Sequence, residues 1–171
     1  QRGFDQAFAL LQGGAGHFSD MQSLWETESG NRGKAKYREN GKLLDQLPDN
    51  FEYSSQFYVD QLIDYIEQHV ASTAEAKTPF FAYLAFSAPH WPLQAPPDAI
   101  ARHKGKYDAG YDVLAAQRLA RQIELGILPP GSSLSPRPND ASAWQDLSAQ
   151  ERALSARRME IYAAMVDEVD R

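Results

Sequence analysis

Pro79-Phe80-Phe81-Ala82-Tyr83-Leu84-Ala85-Phe86 is the longest clean apolar run in the chain, and it passes directly into Ser87-Ala88-Pro89-His90-Trp91-Pro92. The run is apolar at odd and even positions alike and too short for a lone helix. That pattern predicts a strand buried on both faces, as in the middle of a parallel sheet covered by helices. Two prolines and a lost periodicity then predict a loop at the strand's C-terminal end. Ligands of open α/β sheets bind in the crevice beyond the carboxyl ends of the strands. His90, four residues past Phe86, falls at that point. An imidazole there can donate a proton to a leaving oxygen or hydrogen-bond an anion. A histidine that only packs against Trp91 in a rigid loop fits the placement equally well. Trp91, beside it, is a candidate substrate contact.

Working outward, Ser54 or Ser55 can cap a helix over about 54–70, with Tyr58, Leu62, Ile66 and Val70 forming one apolar stripe and Ile63 widening it. On the N-terminal side, Ala7-Phe8-Ala9-Leu10-Leu11 reads as a short, weaker strand entering the glycine-rich turn Gly13-Gly14-Ala15-Gly16-His17. Residues 19–50 are polar and loop-like, with a hairpin signal at Asn40-Gly41, where both residues tolerate positive φ. Beyond the histidine, a helix over about Asp112–Leu125 is capped by Asp112 and stopped by Gly126 and Pro129-Pro130. Residues 129–143 are proline- and serine-rich surface loop. The last helix opens on a capping box, Ser148 with Glu151, and carries Leu154, Met159, Tyr162, Met165, Val166 and Val169 as its buried stripe. Helices alternating with a buried strand imply an open parallel sheet. One strand cannot build it, since its edges need hydrogen-bonded neighbours, so the remaining strands are expected outside these residues.

The bulk numbers narrow the classes. The chain has 171 residues, 43% hydrophobic and 23% charged, which suits one globular domain and not a disordered tail. A formal net charge of −6 argues against a nucleic-acid partner. No apolar stretch approaches the roughly 18 residues needed to cross a bilayer, so no membrane partner is expected. With no cysteine, disulfides, Cys-based zinc sites and a Cys nucleophile are excluded from these residues, while the compartment stays open. The chain begins with Gln1 and no signal-peptide pattern, and its last helix reaches Arg171 without a stop signal. We read it as an internal segment, 1–171, of a longer catalytic domain, with no separate second domain.

Other candidate residues are weaker. His17 follows the glycine run and is carried as a second substrate contact, although a turn histidine without a site role fits the pattern better. The run is not a phosphate loop, because no Lys-Ser/Thr pair follows. His69, at a helix end, and His103, in a basic patch with Arg102, Lys104 and Lys106, read as surface residues. Asp167, Glu168 and Asp170 suggest a metal cluster, but on a helix only 167 and 170 share a face, and a solvated surface is the better reading. Ser87 lacks the Gly-x-Ser-x-Gly elbow of an exposed nucleophile.

The segment from Pro79 through Ser87-Ala88-Pro89-His90-Trp91-Pro92-Leu93-Gln94-Ala95-Pro96 strongly resembles bacterial arylsulfatases, of the alkaline-phosphatase-like superfamily. Gly3-Phe4-Asp5, Leu10-Leu11-Gln12-Gly13-Gly14-Ala15-Gly16-His17-Phe18, Tyr53-Ser54-Ser55, Tyr107-Asp108-Ala109-Gly110-Tyr111, Arg118-Leu119-Ala120-Arg121 and Ala156–Asp167 extend the resemblance, in order, over nearly the whole chain. It implies an alkaline-phosphatase-like α/β fold with a central, mostly parallel sheet, incomplete in this chain. It also implies hydrolysis of a small-molecule sulfate ester by a formylglycine made within Cys/Ser-x-Pro-x-Arg, with calcium held by Asp and Asn residues. His90 aligns with the family histidine that contacts the sulfate and protonates the leaving oxygen.

The departures matter as much. The chain contains no Cys/Ser-x-Pro-x-Arg, no Lys-Trp-His and no matching Asp-Asn pair, since Asp49-Asn50 lies in a loop after Pro48. No metal ligand is therefore expected within this segment, and the segment alone is expected to be inactive. A phosphonate monoester hydrolase or phosphodiesterase of the same superfamily is the second reading. A non-catalytic structural or binding module is the third. The open edge of Phe80–Phe86 further predicts self-association of the isolated segment.

Overall fold

The computed structural model describes residues 3–26, 32–73 and 78–171. Among the described residues, five short strands precede four α-helices: β1 (Phe8–Leu10), β2 (Gln22–Glu26), β3 (Arg32–Lys34), β4 (Tyr37–Glu39), β5 (Lys42–Leu44), then α1 (Ser54–Thr73), α2 (Pro97–Ala101), α3 (Tyr111–Glu124) and α4 (Ala149–Asp170), with one 3-10 turn at Trp144–Asp146. β1, β4 and β5 form one antiparallel sheet in that order, and β2 pairs antiparallel with β3. The Asn40-Gly41 hairpin is present: Asn40 at φ 47° and Gly41 at φ 85° join β4 to β5, the two positive angles that a two-residue turn of matching twist requires.

The chain is mixed α/β, but every pairing among the described strands is antiparallel. The strand expected at Pro79–Phe86 is not one. Its backbone joins no ladder and makes no backbone hydrogen bond among the described residues. Phe80, Phe81 and Tyr83 are 54%, 78% and 72% exposed. The both-faces-apolar pattern requires sheet neighbours, and none of the described strands lies beside it.

Two cores hold the chain. The first packs Tyr37, Leu47, Phe51 and Phe57 with Ala15, Met21 and Ala35, and Phe8 stacks edge-on to Phe57 at 4.9 Å. It joins the three-stranded sheet to the start of α1. The second sets Ala88, Ala95 and Ala99 against Ala164 and Met165, tying the His90 loop and α2 to α4.

The buried side of α4 matches the expected stripe in part: Met165 is buried and Val169 packs against the second core. Ala156, Glu160, Ala164 and Met165 are buried, whereas Leu154, Tyr162 and Val166 are exposed. Ala156, Glu160 and Ala164 recur at steps of four, and two small side chains let α2 and the following turn approach closely. Hydrophobic size alone did not separate this face from that of Leu154, Tyr162 and Val166. The Ser148–Glu151 capping box is formed in both directions. Asp112 does not cap α3, which starts behind Gly110 at φ 86°; Asp112 instead accepts from the Trp144 amide at 2.9 Å and pairs with Arg137. None of the described helices is long and apolar enough to cross a membrane.

Candidate functional site

The loop that carries His90 is anchored in the second core and hydrogen-bonded to the Gly13–His17 turn, which places Ala15 in the first. Ala88 and Ala95 anchor its two feet in the second core, and the His90 amide closes a turn onto the Ser87 carbonyl at 3.0 Å. Pro89 and Pro92 flank the histidine, and the Ala88–Pro89 and Trp91–Pro92 peptide bonds are both cis. The His90 side chain lies at the surface. Its Nδ1 is 2.8 Å from the Trp91 carbonyl oxygen, which can only accept, so Nδ1 carries a proton. Nε2 has no hydrogen-bond partner among the described residues. The ring is thus oriented through one nitrogen and presents the other. Trp91, 60% exposed, offers an apolar face next to it.

His17 does not share that surface. It is 1% exposed, and all four of its polar groups are engaged. Its amide donates to Gln94 Oε1 at 2.8 Å, and its carbonyl accepts from the Ser54 amide at 2.9 Å. Its Nε2 lies 3.0 Å from the His90 carbonyl oxygen and its Nδ1 3.1 Å from Ser54 Oγ. The carbonyl fixes the tautomer: Nε2–H donates to His90, and Nδ1 accepts from the Ser54 hydroxyl. Burial, the main cause, pulls the His17 pKa below its ordinary value, opposed by the His90 carbonyl and reinforced by the nearby His90 charge. His17 is therefore neutral and has no hydrogen-bonding group left for a ligand.

Tyr53 completes the support by donating from its hydroxyl to the Gln94 carbonyl at 3.0 Å. Burial raises its pKa further above the usual phenol range, so it stays a donor. The glycine run allows this approach. A Cβ on Gly14 would meet Leu24 Cδ1 at 2.3 Å and lie 3.4 Å from His90 Nδ1. Glycine here buys proximity and not a phosphate cradle.

Sequence reasoning singled out His90 and the glycine run but missed Tyr53, Ser54 and Gln94 as its supports. Contacts between residues 73 and 77 positions apart leave no periodic signal. Other placements also changed. His103, expected at the surface, is buried and bonds Asp167 Oδ2 at 2.7 Å. Asp167 and Glu168 are taken up by Arg102, and Glu168 also by Arg171, in ion pairs that brace α4. Arg102 and His103 hold the Asp167 carboxyl below its ordinary range, with His103 the larger cause. Among the described residues no group of three or more His, Cys, Asp or Glu side chains could hold a metal ion. A cavity of about 280 Å³ lies elsewhere, between α3 and α4, lined by Tyr107, Tyr111, Arg118, Trp144 and Met159, with no residue of the His90 loop.

The chain is thus mixed α/β and presents one oriented histidine on a doubly anchored, proline-flanked loop. The comparisons give the family: the Sulfatase model matches residues 2–171, and the chain belongs to the sulfatase family. It is 38% identical over 173 residues to an uncharacterized sulfatase of Schizosaccharomyces pombe, a match covering 99% of this chain and 30% of that protein. It is also 38% identical over 169 residues to an arylsulfatase of Klebsiella aerogenes, covering 99% of this chain and 34% of the relative. The chain thus spans about a third of the length of the curated relatives it matches.

Proposed function

We propose that this chain is the part of a sulfate-ester hydrolase that delivers a proton to the departing oxygen, and that His90 is the donor. The carrying observation is the asymmetry of its ring on an exposed residue, with Nδ1 held by the Trp91 carbonyl and Nε2 without a hydrogen-bond partner among the described residues. When protonated, Nε2–H can be transferred to the alkoxide or phenoxide oxygen as its bond to sulfur breaks. Trp91 would form the apolar wall for the organic part of the ester. Membership of the sulfatase family and the likeness to the Klebsiella arylsulfatase support the substrate class.

The residues present do not fit the calcium and formylglycine of the family. The chain has no cysteine and no Cys/Ser-x-Pro-x-Arg, and the described residues hold no metal-binding cluster. Both groups are assigned here to other parts of the full-length polypeptide, and no step at His90 is routed through them.

Aryl sulfates graded by the acidity of their phenols test the reading in the full-length polypeptide. His90→Ala is expected to lower kcat/KM on the order of 10²–10⁴-fold for the poorest leaving groups and far less for the best. Equal loss across the series defeats the acid role. Paired sulfate and phosphate esters of one phenol then separate sulfatase from phosphodiester or phosphonate chemistry, with faster sulfate turnover expected.

A further inference from the structure

We infer that His17 is a positioning residue for His90, acting through the backbone carbonyl of His90 from inside the protein. The inference rests on the reading of His90 as the proton donor. A loop that carries a catalytic ring is useful only if the ring is held to within about half an ångström of its working place. Side chains set the χ angles, but the carbonyl sets the peptide plane from which the ring hangs. The Nε2–H of His17 grips that carbonyl at 3.0 Å, while its amide grips Gln94 four residues further on at 2.8 Å. One residue therefore holds both limbs of the loop. His17 is itself locked by Ser54 at the first turn of α1, through carbonyl and ring alike. The rigid 20-residue helix α1 is thereby coupled to the Nε2 of His90 by a chain of three residues.

The arrangement also explains a pairing that composition does not require. A buried imidazole is costly unless both nitrogens are bonded. An apolar side chain would fill the space at lower cost if packing were the whole purpose. The donor at Nε2 has a specific use, because it meets the His90 carbonyl, for which no other hydrogen bond is made among the described residues.

Two neutral substitutions in the full-length polypeptide separate reach from bulk. His17→Gln keeps an N–H donor at about the distance of Nε2. His17→Asn keeps a polar group near Ser54 but falls short of the His90 carbonyl. The expectation is that His17→Asn lowers kcat on the order of 10- to 100-fold for poor leaving groups, with KM little changed, and that His17→Gln restores most of it. Combined with His90→Ala, His17→Asn should cost almost nothing further, since the group it positions is gone. Additive losses in that cycle, or equal activity of the Asn and Gln variants, overturn the inference. A variant that loses its thermal transition is replaced in the cycle by Ser54→Ala, which removes the donor to His17 Nδ1; the same non-additivity is then required. If His90→Ala shows no leaving-group dependence, the proton-donor reading has failed; if it does and the cycle is additive, only the positioning role has.

Discussion

His17 and His90 are both histidines on glycine- or proline-rich loops, yet they sit on opposite sides of one carbonyl and do different work. Exposure separates them: His90 is exposed and keeps one nitrogen without a partner among the described residues, and His17 is buried with both nitrogens bonded. Burial makes His17 a stability element with a definite pH sign. Its folded pKa is lowered from the ordinary 6.5, so the folded chain binds fewer protons at that site than the unfolded chain. The contribution is present in full above that value and is lost as pH falls below it, with a slope of at most about 1.4 kcal/mol per pH unit. A positive charge on His90 opposes a second one at His17, and the Tyr53 ring lies 6.0 Å from the His17 ring. Urea unfolding of the 171-residue chain at a series of pH values should show the midpoint dropping below pH 6.5, and His17→Gln should flatten that limb. Acid loss from the paired carboxylates Asp167 and Glu160, whose pKa values are lowered from the carboxylate range, belongs to a lower window and should persist in the variant. Identical pH curves for the two proteins would mean that His17 is not buried neutral in the fold.

At the scale of elements, much could be read ahead of the structure because it is written locally. The capping box at Ser148 and Glu151, the Asn40-Gly41 turn and the stop at Gly126, with φ 71°, each depend on residues within four positions of one another. α1 and α3 lie close to their expected ranges, but not by the expected caps: Asp112 does not cap α3, Ser54 Oγ bonds His17 Nδ1, and Ser55 Oγ has no hydrogen-bond partner among the described residues. What failed, in whole or in part, depended on partners far away. The strand expected at Pro79–Phe86 needed neighbours on both edges, and the buried side of α4 was decided by a turn fifty-five residues upstream in sequence. There the Gly105 amide donates to Glu160 Oε1 at 2.8 Å, and Arg157 holds the other oxygen at 2.9 Å. Arg157 first, then the Gly105 amide, keeps Glu160 ionised by lowering its pKa. A buried glutamate is not what a search for apolar stripes looks for, yet it fixes which face of α4 turns inward. Glu160→Ala leaves the Gly105 amide without its acceptor and should cost about 1–3 kcal/mol. Tyr162→Ala, on the exposed side of the same helix, should stay within about 0.5 kcal/mol. Denaturant midpoints of the isolated chain measure both, and a larger loss at Tyr162 would show that α4 is rotated from the position described.

On the scale of the whole molecule, the site is a junction. The first core fixes the Gly13–His17 turn and α1, the second fixes α2 and α4, and the His90 loop places Ala88 and Ala95 in the second core and bonds to His17 of the turn. The segment leading into that loop, 79–86, has neither core. It runs from the end of α1, where His69 bonds the Thr78 carbonyl at 2.9 Å and meets Phe80 edge-on, to the anchored Ala88. Its backbone groups make no backbone hydrogen bonds among the described residues, and Phe80, Phe81 and Tyr83 are exposed while Phe86 is half-buried. An extended, apolar, uncharged row of this kind is a template for another strand. Two copies pairing along it would cover six aromatic rings, each contributing roughly 1.5–3 kcal/mol if fully buried. Lost translational and rotational freedom opposes this by about 4–15 kcal/mol, and burial at a two-stranded edge is partial. The terms are comparable, so association of the isolated chain should be weak and visible only as concentration rises. Sedimentation velocity over a dilution series is expected to show this for the 171-residue chain. The double variant Phe81→Lys with Tyr83→Lys, which places like charges along the row, should stay monomeric while keeping the thermal transition of the two cores. A wild-type chain that is monomeric throughout the series, or a lysine variant that associates equally, would mean that this row is not the surface through which copies meet.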